Sequence, residues 1–247
     1  MRDTVFHFKQ FIIHQDKCAM KVGTDAVLLG SWIKPADNAK RILDVGTGSG
    51  VIALMLAQKC EAFIDAVDID RDAFLQAKEN FLLSPWFRRL NAVHQSFQEF
   101  AARVQVSYDL IVSNPPYFLQ ASKPSAASRT NARHREILAF HELLDGVTKL
   151  LHRNGSFCVI LPGKEGMDFL DHAQRKGLFC NHLVRIKTKP CKEEKRLIMQ
   201  FGFQYGMLTE EEIIIQDEDG HFTQDYCELT RDYYLQLKQS TPYFPQS

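Results

Sequence analysis

The segment VSNPPYF (112–118) ends an apolar run, YDLIVS (108–113), with an amide, two prolines and two aromatic rings. Pro115 and Pro116 have fixed φ and no N–H. They stiffen the corner and leave carbonyl acceptors without competing donors. Asn114 adds a side-chain oxygen acceptor, and Tyr117 adds a flat face for stacking. Two acceptors and a ring suit the gripping of a planar amino group. The lone pair of an exocyclic NH2 is delocalised, so the nitrogen is a poor nucleophile. Accepting both of its hydrogens, at Asn114 Oδ1 and the Pro115 carbonyl, draws the nitrogen toward tetrahedral and aims the lone pair. Such positioning contributes several kcal/mol without a strong base.

A second cluster lies upstream. LDVGTGSG (43–50) carries Asp44, Gly46, Thr47, Gly48 and Gly50 between an apolar run and a helix-like stretch. Glycines there permit positive φ and close approach of a ligand to the backbone. The place is the first strand–helix crossing, where open α/β sheets bind nucleotides. The dinucleotide fingerprint fails, because counting from Gly46 its last glycine position is Val51. Asp68, followed by Ile69, ends the next apolar run, where an acid accepts both hydroxyls of a ribose.

The elements that must position these residues alternate. RILDV (41–45), AFIDAVDI (62–69), RLNAVH (89–94), YDLIVS (108–113) and GSFCVILP (155–162) read as buried strands. VIALMLAQ (51–58), RDAFLQAKENFLL (71–83, with Asp70 as N-cap), 135–151 and 164–176 read as helices. LVRIKTK (183–189) and RLIMQFGFQ (196–204) have no helix pattern between them and read as an antiparallel pair. This is an α/β pattern: a mostly parallel sheet covered on both faces. The expected organisation is one domain, with a hairpin and short helix (24–33) in residues 1–40, a core over 41–204 and an extension over 205–247. Asp219-Gly220 marks a turn in that extension.

The glycine turn with Asp68 resembles motif I and its partner acid in class I S-adenosylmethionine-dependent methyltransferases. The resemblance implies a Rossmann-like sheet of seven strands with the last pair antiparallel. It also implies that the glycine backbone flanks the methionine part of S-adenosylmethionine and that Asp68 holds the ribose. Strand order reverses at the first strand in that fold, so 114–117 faces the sulfonium methyl. An acid often follows the third strand in the family; here Phe97 falls at that place, to hold the adenine by its N–H or its ring. The corner itself resembles the N-P-P-Y motif of amino methyltransferases that act on adenine N6, guanine N2 or a glutamine side chain.

Two basic stretches point to RNA. One carries Lys123, Arg129, Arg133 and Arg135, with His134 and Phe118 nearby; the other carries Lys189, Lys192, Lys195 and Arg196. An acid-rich tail (Glu210, Glu211, Glu212, Asp217, Glu218, Asp219) offsets them, so zero net charge hides a polarised surface. FKQFIIHQDKCAMKVGTDAVLLGSW (8–32), NPPYF, Ala132–His134 and the basic strand pair together resemble the bacterial tRNA1(Val) (adenine-37-N6)-methyltransferase family. The resemblance spans nearly the whole chain. It implies N6-methylation of the adenine beside the anticodon in tRNA, with Lys21, Thr24 and Asp25 near the methionine end of the cofactor. Alternatives that share the core motifs are a glutamine methyltransferase of release factors, a ribosomal-RNA or DNA adenine methyltransferase, and an RNA-binding scaffold with a vestigial pocket.

Bulk properties narrow the classes. The chain has 247 residues, 45% of them hydrophobic, which is enough for a large core. Lys+Arg and Asp+Glu are both 30, which excludes gross electrostatic binding by the whole surface. The six cysteines form no C-x-x-C pair, and no Cys/His cluster has metal-ligand spacing, so the expectation is reduced thiols, no metal and a cytoplasmic setting. The N-terminus lacks the apolar run of a signal peptide, and no stretch approaches the roughly 20 apolar residues that span a bilayer. A monomer or weak homodimer is expected.

Overall fold

The computed structural model describes residues 4–18, 20–115 and 140–236. Strands β1 (Val5–His7) and β2 (Ile12–His14) pair as an antiparallel arm. Helix α1 (Thr24–Trp32) follows, with Gly23 at the cap position and no side-chain cap, so Thr24 is its first turn rather than its cap. The alternating core comprises β3 (Arg41–Val45), α2 (Val51–Lys59), β4 (Phe63–Asp68), α3 (Arg71–Leu83), β5 (Leu90–His94), α4 (Phe97–Arg103) and β6 (Tyr108–Ser113). It continues through α5 (140–150), β7 (Leu151–Pro162), α6 (Gly163–Arg175), β8 (Phe179–Lys187) and β9 (Glu194–Gly202). Strand β10 (Thr209–Ile214) and helix α7 (Gln224–Thr230) close the described chain.

Eight strands form the main sheet in the order β10-β8-β9-β7-β6-β3-β4-β5. Only β9 runs antiparallel to its neighbours, β7 and β8, as the absence of a helix pattern before it requires. The order reverses at β3, which pairs with β4 on one side and β6 on the other. In such sheets the ligand crevice lies beyond the carboxyl ends of the strands flanking that reversal.

Both faces of the sheet are apolar, and consecutive strand residues feed opposite cores. Ile42, Leu110 and Val112 join α1, α2 and α3 on one face; Leu43, Val45 and Ile111 join α4, α5 and α6 on the other. This period of two with hydrophobics on both sides is the mark of a covered parallel sheet. The N-terminal arm and α7 belong to the first core through Phe8, Phe11, Ile13 and Tyr226. Asp70 caps α3 as its type predicts, accepting from Ala73 N–H at 2.8 Å.

The eighth strand is an addition to the seven expected. Its sequence, TEEEII, reads as an acidic run, yet β10 lies parallel to β8. Ion pairs hold it there, Arg185 to Glu210 at 3.2 Å and Lys187 to Glu212 at 2.7 Å, and His182 Nε2 lies 2.9 Å from Glu211 Oε1. Glu210, Glu211 and Glu212 of the tail acids therefore sit on the basic strand instead of forming a separate pole. No helix among the described residues is long and apolar enough to cross a membrane.

Candidate active site

The glycine turn is built by backbone conformation. Gly46, Gly48 and Gly50 have φ of 72°, 58° and 83°, in the left-handed region that disfavours side chains. Gly50 has a second reason: a Cβ there would stand 2.5 Å from the Phe81 ring. At Gly46 and Gly48 a Cβ would meet nothing within 4 Å, so the space above them is open. Gly46 and Thr47 donate to the Val67 carbonyl at 2.8 and 3.2 Å, tying the turn to β4.

Asp44 is fully buried beneath the turn, and burial pushes its carboxyl up to about 7. The Thr47 hydroxyl, donating to Asp44 Oδ2 at 2.6 Å, works against that shift, as does the Ala53 N–H; the nearby Asp68 charge adds to it. Asp44 Oδ1 makes no hydrogen bond of normal geometry among the described residues. Asp68, at the end of β4, accepts from Gly48 N–H at 2.8 Å and from Asp70 N–H at 2.9 Å.

Two clefts meet at this turn. The smaller, about 380 Å³, is bordered by Asp68, Ile69 and Phe97. The larger, about 680 Å³, is bordered by Lys21, Thr24, Thr47, Lys195 and Arg196. Gly46, Gly48 and Asn114 border both. Asn114 reaches that junction because β6 pairs with β3 in a register that sets Ser113 opposite Val45, reinforced by Ser113 Oγ donating to the Val45 carbonyl at 2.9 Å. Asn114 and Pro115 are half-buried. Asp44 and Gly50 border neither cleft; they shape the turn from below.

Phe97 is the first residue of α4, whose cap is Ser96, accepting from Glu99 N–H at 3.2 Å. One edge of its ring is committed to Gly146 of α5, where a Cβ would stand 2.3 Å away. The S-x-x-E spacing at Ser96–Glu99 is the signal that would have found this helix.

The second basic stretch divides. Lys195 and Arg196 border the larger cleft, whereas Lys189 donates to the Glu218 carbonyl at 2.9 Å and neither it nor Lys192 reaches the cleft. Arg196 Nε pairs with Asp25 at 2.7 Å. Pro116, Tyr117, Phe118, Lys123, Arg129, Arg133, His134 and Arg135 lie outside the described residues. Asp217, Asp219 and His221 bring ligand-type atoms together at the Gly220 turn, where Asp217 Oδ1 accepts the His221 N–H at 2.9 Å.

Sequence reading missed three buried amides. Asn80 Nδ2 donates to Ser49 O at 2.8 Å and to His14 O at 2.9 Å, and its Oδ1 accepts the His14 N–H. Gln76 Oε1 accepts Lys17 N–H at 2.9 Å, and Gln15 Oε1 accepts Val22 N–H at 2.8 Å. Lys21 Nζ donates to the Gln15 carbonyl. Residues 14–18 and 20–22 thus form a strap, pinned to α3 and to the glycine turn, whose Cys18, Met20 and Lys21 edge the clefts. No spacing in the sequence marks Gln76 and Asn80 as buried; only the fold shows that both are.

The sheet order, the glycine turn and an amide at the switch point define a class I methyltransferase. The chain matches the Methyltransferase small domain family over residues 18–170. Its fold resembles that of a predicted O-methyltransferase from Agrobacterium tumefaciens, with a TM-score of 0.65 at 17% identity, covering 85% of this chain and 96% of that one. More specifically, the chain belongs to the tRNA1(Val) (adenine(37)-N6)-methyltransferase family. It is 42% identical to the Bacteroides fragilis protein of that name, over 96% of this chain and 100% of the relative. It is 43% identical to the Proteus mirabilis protein of the same name, over 95% of each.

Proposed function

We propose that this chain transfers the methyl group of S-adenosylmethionine to N6 of adenine 37 in tRNA1(Val), the activity stated in its relatives' names, and does so in the cytoplasm. One observation carries the reading: Asn114 borders both clefts where they meet at Gly46 and Gly48. A donor laid along the turn and an amine held at Asn114 are then neighbours.

The residues fit the donor. Gly46 and Gly48 leave open space for its backbone-hugging portion. Asp68 offers a carboxylate to the ribose hydroxyls at the rim of the smaller cleft, with Ile69 and Phe97 beside the adenine. Lys21 and Thr24 lie on the methionine side, in the larger cleft. When bound, the cofactor supplies an electrophilic methyl carbon on a sulfonium that leaves as a neutral thioether.

The chain's own work is positioning. Asn114 Oδ1 and the Pro115 carbonyl accept the two amino hydrogens of the adenine, which orients the nitrogen lone pair toward the methyl. By residue type alone, Pro116 is assigned to stiffening the corner and Tyr117 to stacking on the base. The amino proton departs after transfer, when the nitrogen is cationic and acidic. The target base leaves its stack to enter, a smaller cost in a loop than in a duplex.

The test is nucleoside analysis of tRNA1(Val) incubated with purified protein and methyl-labelled cofactor. Label in N6-methyladenosine, absent when adenine 37 is replaced by guanine, is expected. Label found only in protein would replace this reading with glutamine methylation. No label and no calorimetric binding of the cofactor would replace it with a non-enzymatic role.

A further inference from the structure

The larger cleft does not end at the catalytic corner. From Gly46 and Asn114 it continues to a wall made by the C-terminal segment: Ile215, Phe222, Tyr226 and Tyr234. Catalysis at Asn114 leaves that wall without a task.

The wall is rigid. The left-handed Gly220 (φ 88°) turns the chain back on itself, so that Gln216 bridges to Phe222 and Thr223 N–H reaches the Ile215 carbonyl at 3.1 Å. Thr223 also caps α7, accepting from Tyr226 N–H at 3.2 Å. Phe222 stacks on Tyr226, centroids 5.2 Å apart at 28°, and Tyr226 is buried. Phe222 itself is half-buried, so Tyr226 backs a ring that borders the cleft. Tyr234, also bordering it, is held by Phe8 at 6.3 Å and 22°.

The same cleft also has a cationic border. Asp25 anchors Arg196 at 2.7 Å, and Arg196 Nη1 donates to the Lys195 carbonyl at 2.8 Å. That chain of contacts presents Lys195, which is exposed, at the cleft edge. A held aromatic face and an ammonium carried on an anchored backbone, bordering one cavity with the catalytic amide, match the parts of a nucleotide: base and phosphate.

We propose that this wall is a second nucleotide subsite, in which the base adjoining the target adenine stacks on Phe222 while Lys195 meets the intervening phosphate. The inference rests on the reading that the substrate is RNA. It gives the C-terminal segment a role in substrate positioning, apart from the cofactor.

A substrate–enzyme double cycle tests it. Anticodon stem-loop RNAs, intact or abasic at either neighbour of the target adenine, are methylated by wild type and by Phe222→Ala, with Phe222→Leu as the variant that keeps apolar volume. The expected result is a roughly tenfold rise in KM for RNA in Phe222→Ala, the size of one lost base–aromatic stack, with cofactor Kd unchanged. One abasic substitution should penalise wild type by a similar factor and the variants by almost nothing more. Penalties that multiply, or an RNA KM that does not move, would remove the subsite. Wild type that forms no N6-methyladenosine would instead sink the RNA reading, and this subsite with it.

Discussion

Asp68 and Gly48 meet beside the switch point of the sheet: the carboxylate that ends β4 accepts the N–H of the turn that follows β3, at 2.8 Å. The acid therefore does two things in this protein. It holds the middle of the glycine turn, and it presents its remaining capacity to the smaller cleft.

Asp68→Ala is expected to raise the dissociation constant for S-adenosylmethionine by roughly 10–100-fold, the range for losing charge-assisted hydrogen bonds worth about 1.5–3 kcal/mol. Turnover at saturating cofactor should change far less. Isothermal calorimetry paired with steady-state kinetics makes the comparison.

Asn114→Ala should show the opposite division. Cofactor affinity stays close to wild type while kcat falls by about 100-fold or more, as for removal of one well-placed polar group at a reacting centre. Intact kcat with lost cofactor binding would mean that Asn114 holds the donor and not the amine.

The strap gives a third expectation. Asn80→Ala leaves His14 and Ser49 backbone groups unpaired in the interior, at a cost of about 1–3 kcal/mol for each group left unsatisfied. Urea unfolding should register that loss. Cofactor Kd should rise as well, because Asn80 links the strap to the Ser49 carbonyl in the glycine turn. A loss of stability with unchanged cofactor affinity would confine Asn80 to folding.

Asp44 predicts a pH dependence. Its carboxyl, ordinarily near 3.8, is raised to about 7 in the fold, chiefly by burial. The folded state thus binds this proton more tightly than the unfolded state. The resulting stabilisation is complete below about pH 4 and is lost as pH rises through about 7. Asp44→Asn keeps a neutral side chain at every pH. In urea unfolding of the cofactor-free protein, wild type should match or exceed the variant at pH 5 and fall behind it at pH 8. A difference between the two that is flat across that range contradicts the assignment.

The basic residues should separate by location. Lys195→Ala is expected to weaken tRNA binding and to lower the slope of log K against log salt by about 0.7–0.9, one phosphate's worth. Lys189→Ala, whose ammonium is bound to the Glu218 carbonyl, should do neither. Filter binding across a salt series distinguishes them, and equal effects would return Lys189 to the RNA-binding surface.

Much of this protein was legible without coordinates. The alternation of apolar strands and helices is a local property, because strand and helix periods are carried by neighbouring residues. The left-handed φ values at Gly46, Gly48 and Gly50 follow from residue type and spacing. The meeting of the glycine turn and the Asn114 corner was expected only through the resemblance to class I methyltransferases, whose strand order reverses beside the first core strand, and the sheet has that reversal.

What only the tertiary structure decided are pairings between distant residues that no period encodes. Asp25 and Arg196 are 171 positions apart and joined at 2.7 Å. Asn80 bridges a turn 31 residues before it and a strand 66 residues before it. Glu210 and Glu212 are an acidic run in the sequence and part of an edge strand in the fold, because Arg185 and Lys187 of the neighbouring strand pair with them diagonally. Backbone conformation is set by a residue and its immediate neighbours, whereas the partner of a buried amide or a paired charge is set by which surfaces the whole chain brings together.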